Sequence, residues 1–192
     1  MKDGILQALR TRRSFYQLNK ESVLTEDELI RYVEDIVRLV PDAYDMKSQR
    51  VVLALGEQHD RLWDAIYNVF GGKVAREKID SFKAGVGTVL FFYDQETIER
   101  MQWDIPGGAD NFPLWALQSN GMLQMTMWTA LCEQGYGASL QHYNPVIDER
   151  VRELFDVPEN YVLLAQLVFG GIEAHPEPKA EEDISARVKI AR

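Results

Sequence analysis

The sequence has 192 residues, of which 46% are hydrophobic and 27% are charged, and its formal net charge is −9 at pH 7. This composition is that of a folded globular protein, and the acidic balance argues against the backbone of a nucleic acid as a partner. The single cysteine excludes an intramolecular disulfide, and no apolar run approaches the ~20 residues that span a bilayer. We therefore expect one domain, residues 1–192, in a soluble cytoplasmic protein.

Helical spacing of apolar residues dominates the first half of the chain. Thr25, with Glu28 three positions later, has the pattern of a capping box, and Pro41 ends the helix that it opens. The predicted elements of this half are helices over residues 3–12, 26–40, 57–70 and 73–82 and strands over residues 50–55 and 87–93. The second strand is too apolar to be exposed on one face.

The second half of the chain contains the longest predicted helix, residues 114–134, whose apolar residues cover more than one stripe. Such a helix must be buried on most sides, so we expect it at the centre of the domain and packed against a partner subunit. A polar loop follows at residues 137–145, then a short helix over 146–155 and a strong strand at 161–169. The order of elements predicts an α+β fold in which helices cover both faces of a mixed β-sheet.

Cations near both ends of the chain are candidate phosphate ligands. Arg12, Arg13 and Ser14 follow the first helix, and guanidinium and hydroxyl groups match phosphate oxygens. Arg187 and Lys189 lie two residues apart, so an extended backbone would point both to one side. The alternatives are a solvated basic helix end and an ordinary charged tail.

Two further segments are candidate contacts for a flat ring. Lys83 precedes the strand at 87–93, where its ammonium could approach a ring over the strand end. Backbone N–H groups of the 137–145 segment could reach the edge of the same ligand. The alternatives are a surface lysine and a plain loop in which a backbone carbonyl binds His142.

Several other kinds of site are excluded by spacing. No histidine lies near another histidine or the cysteine at a metal-ligand spacing, so we expect no metal site. The phosphate loop of nucleotide-binding proteins and the nucleophile elbow of hydrolases are absent. Leu90 stands where a dinucleotide fingerprint beginning at Gly85 would need glycine. Cys132 lies among methionine and tryptophan residues and is interpreted as a packing residue.

The ordered set of these segments resembles the nitroreductase family, and most closely its short subgroup related to the yeast fatty-acid-repression-mutant protein. The segments that carry the resemblance are Arg12-Arg13-Ser14, residues 41–52, 82–92, 118–124 and 137–145, and Arg187-Val188-Lys189. Together they span nearly the whole chain. The resemblance implies a nitroreductase-like FMN-binding domain over residues 1–192, an intertwined homodimer, and two FMN sites at the subunit interface.

The resemblance also implies an activity and a set of contacts. NADH or NADPH would reduce the flavin, which would then reduce nitroaromatic compounds, quinones or related electrophiles by ping-pong hydride transfer, in stress or detoxification. The residues implied around FMN are Arg12, Arg13, Ser14, Tyr16, Asp42, Asp45, Lys47, Lys83, Leu140, Gln141, His142, Arg187 and Lys189. The cations at the two ends would hold the phosphate, Tyr16 would border the ring, Lys83 would lie at its pyrimidine edge, and residues 41–47 would come from the second subunit.

One segment departs from the family pattern. Asp42, Asp45 and Lys47 stand where the family usually has serine, asparagine and glutamine. A carboxylate near an anionic cofactor is unfavourable unless Lys47 offsets it. Two alternatives to the enzyme therefore stay open: a flavin-binding regulatory or stress-sensing protein with little turnover, and a flavin-free dimeric module built on the helix at 114–134.

Overall fold

The computed structural model describes residues 4–192 and contains the helices and strands that the sequence predicts, together with three more elements. The helices are α1 Gly4–Thr11, α2 Glu26–Leu39, α3 Gly56–Val69, α4 Arg76–Lys83, α5 Gln95–Asp104, α6 Phe112–Glu133 and α7 Asp148–Phe155, with 3₁₀ turns at Ala43–Asp45 and Pro106–Asn111. The strands are β1 Leu18–Asn19, β2 Gln49–Leu55, β3 Gly87–Asp94, β4 Gly137–Gln141 and β5 Tyr161–Ile172.

The sheet is built around β5, the longest strand. One edge of β5 pairs with β3, which pairs in turn with β2. Along the other edge, β4 lies opposite residues 166–170 and β1 opposite residues 171–172. These pairings are antiparallel, and parallel pairing within residues 4–192 is confined to a bridge between Ser14 and Ala138. The predicted α+β class is confirmed.

Both faces of the sheet are covered by helices, as the apolar runs of its central strands predict. Val89 and Phe91 of β3 pack with α2 and α6, whereas Leu90 and Phe92 pack with α3, α4 and α7. Successive side chains of a strand point to opposite faces, so a strand covered on both sides needs a continuous apolar sequence. The central position predicted for the longest helix is confirmed by Leu123, which is completely buried.

The capping box at the start of α2 is confirmed. Glu28 N donates to Thr25 Oγ1 at 3.4 Å, and Thr25 N donates to Glu28 Oε2 at 2.9 Å. The second bond also explains why the pKa of Glu28 lies below its usual value. These two bonds satisfy donors that the first turn of a helix leaves free, and they fix where α2 begins.

Three elements were not predicted. The prediction of a loop at residues 137–145 is wrong for the first half of that segment, which is β4. The small side chains of β4 give no apolar run, and pairing with β5 determines its conformation. Helix α5 is short and mostly polar, and it depends on Asp94, whose carboxylate caps its first turn. Strand β1 has only two residues. Among helices of residues 4–192, none has the length and apolar content needed to cross a bilayer.

Candidate functional site

The basic segment that follows α1 lies along the free edge of β4. Phe15 N donates to the carbonyl oxygen of Ala138 at 3.0 Å, and Ser14 forms the parallel bridge to the same residue. The opposite edge of β4 is occupied by β5, so this pairing adds Ser14 and Phe15 to the outside of the sheet. The fold thereby brings the segment that follows α1 beside Ala138 of β4.

Arg12 is held over an aromatic ring. Its guanidinium carbon lies 4.3 Å from the centre of the Trp128 ring, and Trp128 Nε1 donates to Ala138 O at 3.2 Å. Arg12 Nε is buried and has no hydrogen-bond partner within residues 4–192. A buried, unpaired donor on a cation is costly, and an anionic oxygen would satisfy it. The geometry of Arg12 therefore fits a phosphate ligand.

The two neighbours of Arg12 differ in their partners. Arg13 Nη2 donates to Glu177 O at 2.6 Å, which ties the segment after β5 to the N-terminal region. Ser14 is half-buried, and its hydroxyl makes no hydrogen bond to any of residues 4–192. Tyr16, two residues further along the chain, is exposed. The hydroxyl of Ser14 and some of the N–H donors of Arg12 and Arg13 thus remain free to bind a ligand.

The C-terminal cations lie in the segment that follows β5. Arg187 forms an ion pair with Glu182, and Lys189 is exposed. Arg13 reaches Glu177 of the same segment, so the start of the C-terminal segment lies beside the N-terminal cations.

The end of β4 leads into a turn that a buried amide fixes. Leu140 and Gln141 are half-buried and His142 is exposed, with no bond from its ring to residues 4–192. Tyr143 N donates to Oε1 of the fully buried Gln166 at 2.8 Å. Since an amide side chain holds the backbone at residue 143, residues 140–142 have a defined position at the end of β4.

Lys83 is paired inside the chain. Its Nζ lies 2.6 Å from Asp64 Oδ2, and Arg76 Nη2 lies 3.1 Å from the other carboxylate oxygen. The hydrogen bond from Lys83 is the main reason why the pKa of Asp64 lies below its usual value. The charge of Lys83 is therefore compensated by Asp64, a partner that sequence spacing does not reveal.

A buried histidine lies beneath the C-terminal end of α4, and sequence spacing did not identify it either. His59 is fully buried, and its Nδ1 lies 2.9 Å from Thr88 Oγ1, which also accepts a hydrogen bond from Trp63 Nε1 at 3.0 Å. Burial lowers the pKa of His59 to about 4. The ring is neutral near pH 7 and serves as a packing and hydrogen-bonding group between α3 and β3.

Residues 42–48 form a tight loop in which the acidic side chains bind other residues of the same loop. The Oδ2 atom of buried Asp42 accepts from Ser48 N at 2.6 Å and from Ser48 Oγ at 2.7 Å. Asp45 and Lys47 form an exposed ion pair, so this lysine does offset a carboxylate. Tyr44, Asp45 and Lys47 have φ values of 54°, 54° and 57°. Such left-handed backbone is strained in residues with a side chain and concentrates at functional sites.

The same loop carries an aromatic pair. Tyr44 is exposed, and its ring stacks on Trp115 of α6 with centroids 5.4 Å apart and an interplanar angle of 22°. Phe112 meets Tyr44 edge-on at 5.4 Å. The loop therefore presents a flat aromatic surface at the N-terminal end of α6.

The outer face of α1 and α6 is apolar. Five of its apolar side chains are exposed by 37–76%: Ile5, Leu9, Leu117, Met122 and Met125. A groove of about 290 Å³ runs between the two helices beside Met125. An exposed apolar patch of this kind is typical of a protein interface.

Comparison with known proteins gives one consistent family. The sequence model of the nitroreductase family matches residues 9–171. Nitroreductase FRM2 of Saccharomyces cerevisiae is 35% identical over 177 residues, which cover 91% of each chain. Nitroreductase CinD from Lactococcus lactis, solved in complex with chloramphenicol, is 37% identical and superimposes with a TM-score of 0.92 over 98% of this chain and 100% of that chain.

A more distant solved structure shares the fold alone. It is a nitroreductase from Exiguobacterium sibiricum in complex with FMN, 13% identical, with a TM-score of 0.75 over 97% of this chain and 96% of that chain. The family match spans most of the sequence, and the yeast relative agrees with it over nearly the full length of both proteins. This chain belongs to the nitroreductase family.

Proposed function

We propose that this protein is an FMN-dependent NAD(P)H oxidoreductase that reduces nitroaromatic compounds, quinones or related electrophiles. It would act as a cytoplasmic homodimer of single-domain subunits, in stress or detoxification. The observation that carries the proposal is the position of Arg12, which lies over Trp128 with a buried, unpaired Nε atom beside β4. Family membership makes a flavin phosphate the natural ligand for that donor.

The residues of the N-terminal segment fit the phosphate end of FMN. Arg12 and Ser14 offer donors without partners in residues 4–192, and Arg13 keeps one side of its guanidinium free while the other binds Glu177. Charge-assisted bonds from guanidinium to phosphate are among the stronger hydrogen bonds in proteins. The distant relative from E. sibiricum was solved with FMN bound, which agrees with this choice of cofactor.

The direction of β4 suggests where the ring would lie. Ser14 pairs with Ala138, and a strand advances about 3.3 Å per residue, so His142 lies roughly 13 Å further along. We place the ring beside residues 140–142, at the far end of the strand from the phosphate. Backbone groups there would orient the ring.

When bound, FMN supplies the capacity to accept a hydride and to deliver it to a second substrate. The chain itself binds and orients. Arg12, Arg13 and Ser14 would anchor the phosphate, and residues 140–142 would fix the ring. The exposed aromatic surface of Tyr44 and Trp115 would contribute from the second subunit, where the resemblance places residues 41–47. A flat aromatic surface suits flat acceptors, and the L. lactis relative was solved with chloramphenicol, which carries a nitrophenyl group.

A homodimer would complete the site. The exposed apolar face of α1 and α6 provides a surface for a second copy. Residues 41–47, which the resemblance places on the second subunit, would reach the ring, and Arg187 and Lys189 would close on the phosphate. Binding of FMN and formation of the dimer would therefore depend on one another.

The test is spectroscopic and kinetic. Purified protein supplied with FMN should be yellow, anaerobic NADH or NADPH should bleach it, and a nitroaromatic or quinone should restore the colour. Steady-state rates at several fixed acceptor concentrations should give parallel double-reciprocal lines, because the nicotinamide leaves before the acceptor binds. Bleaching without turnover on any acceptor would favour the regulatory alternative, and failure to take up FMN would refute the proposal.

A further inference from the structure

Two buried polar side chains fix the strained loop at residues 42–48. They are Gln49 of β2, which is 9% exposed, and Ser119 of α6, which is 2% exposed. On the basis of the function proposed above, we propose that Ser119 and Gln49 are positioning residues for flat acceptors, because they hold Tyr44 in place at the flavin site of the second subunit. The proposal rests on the bonds that the two side chains make and on where the loop lies.

Ser119 binds the start of the loop and the strand that follows it. Its Oγ accepts a hydrogen bond from Ala43 N at 3.1 Å, and its carbonyl oxygen accepts one from Gln49 Nε2 at 2.9 Å. The same Gln49 amide donates to the carbonyl oxygen of Pro41, directly before the loop, at 3.3 Å. One amide group therefore joins both ends of the loop to α6, and one hydroxyl group fixes the first turn of the loop.

The loop depends on these anchors because its backbone is unfavourable by itself. Tyr44, Asp45 and Lys47 have left-handed φ values, and residues with a side chain keep that conformation only where the surrounding structure enforces it. The exposed ion pair between Asp45 and Lys47 is too weak to enforce it. Met46, by contrast, is 5% exposed and packs with residues of α5 and α6. The conformation of the loop is therefore determined from its buried side.

The same anchors determine where the Tyr44 ring lies. The ring is exposed and stacks on Trp115, with the ring centroids 5.4 Å apart. Trp115 and Ser119 are four residues apart on α6, so they lie on the same face of that helix. Loss of the Ser119 hydroxyl would leave both rings present and would release the loop from α6. The Tyr44 ring would then have no fixed position.

The loop lies at the edge of the proposed subunit interface. An apolar groove is lined by Val40 and Pro41, directly before the loop, and by Met122 and Met125 of the exposed face of α6. A second subunit bound to that face would lie beside the loop. This position agrees with the resemblance, which places residues 41–47 at the flavin of the other subunit. The anchors on one subunit would therefore act on acceptors bound at its partner.

The position of the Tyr44 ring should matter for some acceptors and not for others. A flat nitroaromatic or quinone binds by stacking, so its capture depends on where the aromatic surface lies. Ferricyanide takes up electrons without stacking. Release of the loop should therefore slow the reaction with a flat acceptor and spare the reaction with ferricyanide. A general loss of folded protein would lower both reactions equally.

The test compares Ser119→Ala with the matched variant Ser81→Ala, whose hydroxyl donates to Lys78 O of its own helix. We expect Ser119→Ala to lower kcat/KM for a planar quinone about three- to tenfold, while kcat/KM for ferricyanide and the Kd for FMN stay within about twofold. Gln49→Glu places an acceptor oxygen beside two carbonyl oxygens and should have a larger effect of the same kind. Ser81→Ala should match the unsubstituted protein in all three measurements.

Two further measurements isolate the action through the loop. In FMN-free protein, hydrogen exchange of the backbone amides of residues 43–48 should be about tenfold faster in Ser119→Ala than in the unsubstituted protein. In a Tyr44→Ala background, the addition of Ser119→Ala should change kcat/KM for the quinone by less than about twofold. The reason is that the ring through which Ser119 acts is then absent.

The outcomes separate this inference from the proposed function. A selective loss with the quinone that disappears in the Tyr44→Ala background would support the assignment. Equal losses with quinone and ferricyanide, an unchanged quinone reaction, unchanged hydrogen exchange, or a full effect of Ser119→Ala without Tyr44 would overturn it and leave the flavin function intact. Failure of the unsubstituted protein to bind FMN would overturn both.

Discussion

The guanidinium of Arg12 lies 4.3 Å above the ring of Trp128, and the same indole donates through Nε1 to Ala138 of β4. Trp128 thus contacts both the Arg12 guanidinium and strand β4. A cation–π contact of this kind is worth about 0.5–2 kcal/mol, more when water is excluded. The relationship makes Trp128 a positioning residue for the phosphate site.

Replacing Trp128 should weaken FMN binding without abolishing it. We expect Trp128→Leu to raise the Kd for FMN about 5- to 30-fold, because Arg12 loses its aromatic support. Trp128→Phe keeps a ring and should lose less than Trp128→Leu. Fluorescence titration of both variants with FMN measures the difference, and equal affinities in Trp128→Leu and the unsubstituted protein would show that Arg12 needs no such support.

The loop at residues 42–48 should depend on its buried carboxylate. Asp42→Ala leaves both Ser48 donors unpaired, and we expect a loss of about 2–3 kcal/mol in the free energy of unfolding. Asp45→Ala removes only an exposed ion pair and should change that free energy by less than about 0.5 kcal/mol. Urea unfolding of the two variants provides the comparison, and similar losses in both would contradict this reading of the loop.

Acidification should destabilise the fold through His59. The unfolded residue binds a proton below about pH 6.5, whereas the folded residue stays neutral down to a pKa of about 4 because it is buried, with nearby Lys20 lowering the pKa and Asp60 raising it. Between these values the unfolded state binds more protons, so stability falls as pH falls. The slope contributed by one group is up to about 1.4 kcal/mol per pH unit.

The His59→Asn variant isolates this contribution. It keeps a side chain that can bond Thr88 and removes the titrating ring. Chemical unfolding between pH 7 and pH 4 should show a shallower loss of stability in the variant than in the unsubstituted protein. Parallel pH profiles would mean that His59 does not titrate differently in the two states.

The apolar face of α1 and α6 should form the subunit interface. Met125→Glu places a charge on that face and should convert the dimer to monomers at micromolar concentrations, with a parallel loss of bound FMN. Val69→Glu alters an apolar residue of similar exposure on α3 and serves as the control. Size-exclusion chromatography with light scattering measures the mass, and an intact dimer in Met125→Glu would place the interface elsewhere.

Sequence patterns identified the elements that depend on local chemistry. The capping box at Thr25 and the apolar runs of β3 and β5 were predicted because their signals lie within a few adjacent residues. Strand β4 was missed because its small and polar side chains carry no period, and its conformation comes from pairing with β5.

The partners of the site residues could not be predicted in the same way. Three contacts of these residues arise from tertiary packing. Asp64 binds Lys83, Trp128 lies beneath Arg12, and Ser48 occupies the carboxylate of Asp42. Each contact joins residues on different elements or across the strained loop, so the periodicity of the sequence does not predict it. The sequence indicated which groups could bind a flavin, and only the fold shows which of their charges remain free.

The most direct test of the phosphate site is a comparison of FMN with riboflavin, which lacks the phosphate. In fluorescence titrations the unsubstituted protein should bind FMN at least about 100-fold more tightly than riboflavin, since several charge-assisted bonds are at stake. In the double variant Arg12→Ala, Arg13→Ala the affinity for FMN should fall to within a few-fold of that for riboflavin. Equal binding of the two flavins by the unsubstituted protein, or full discrimination by the double variant, would contradict the account.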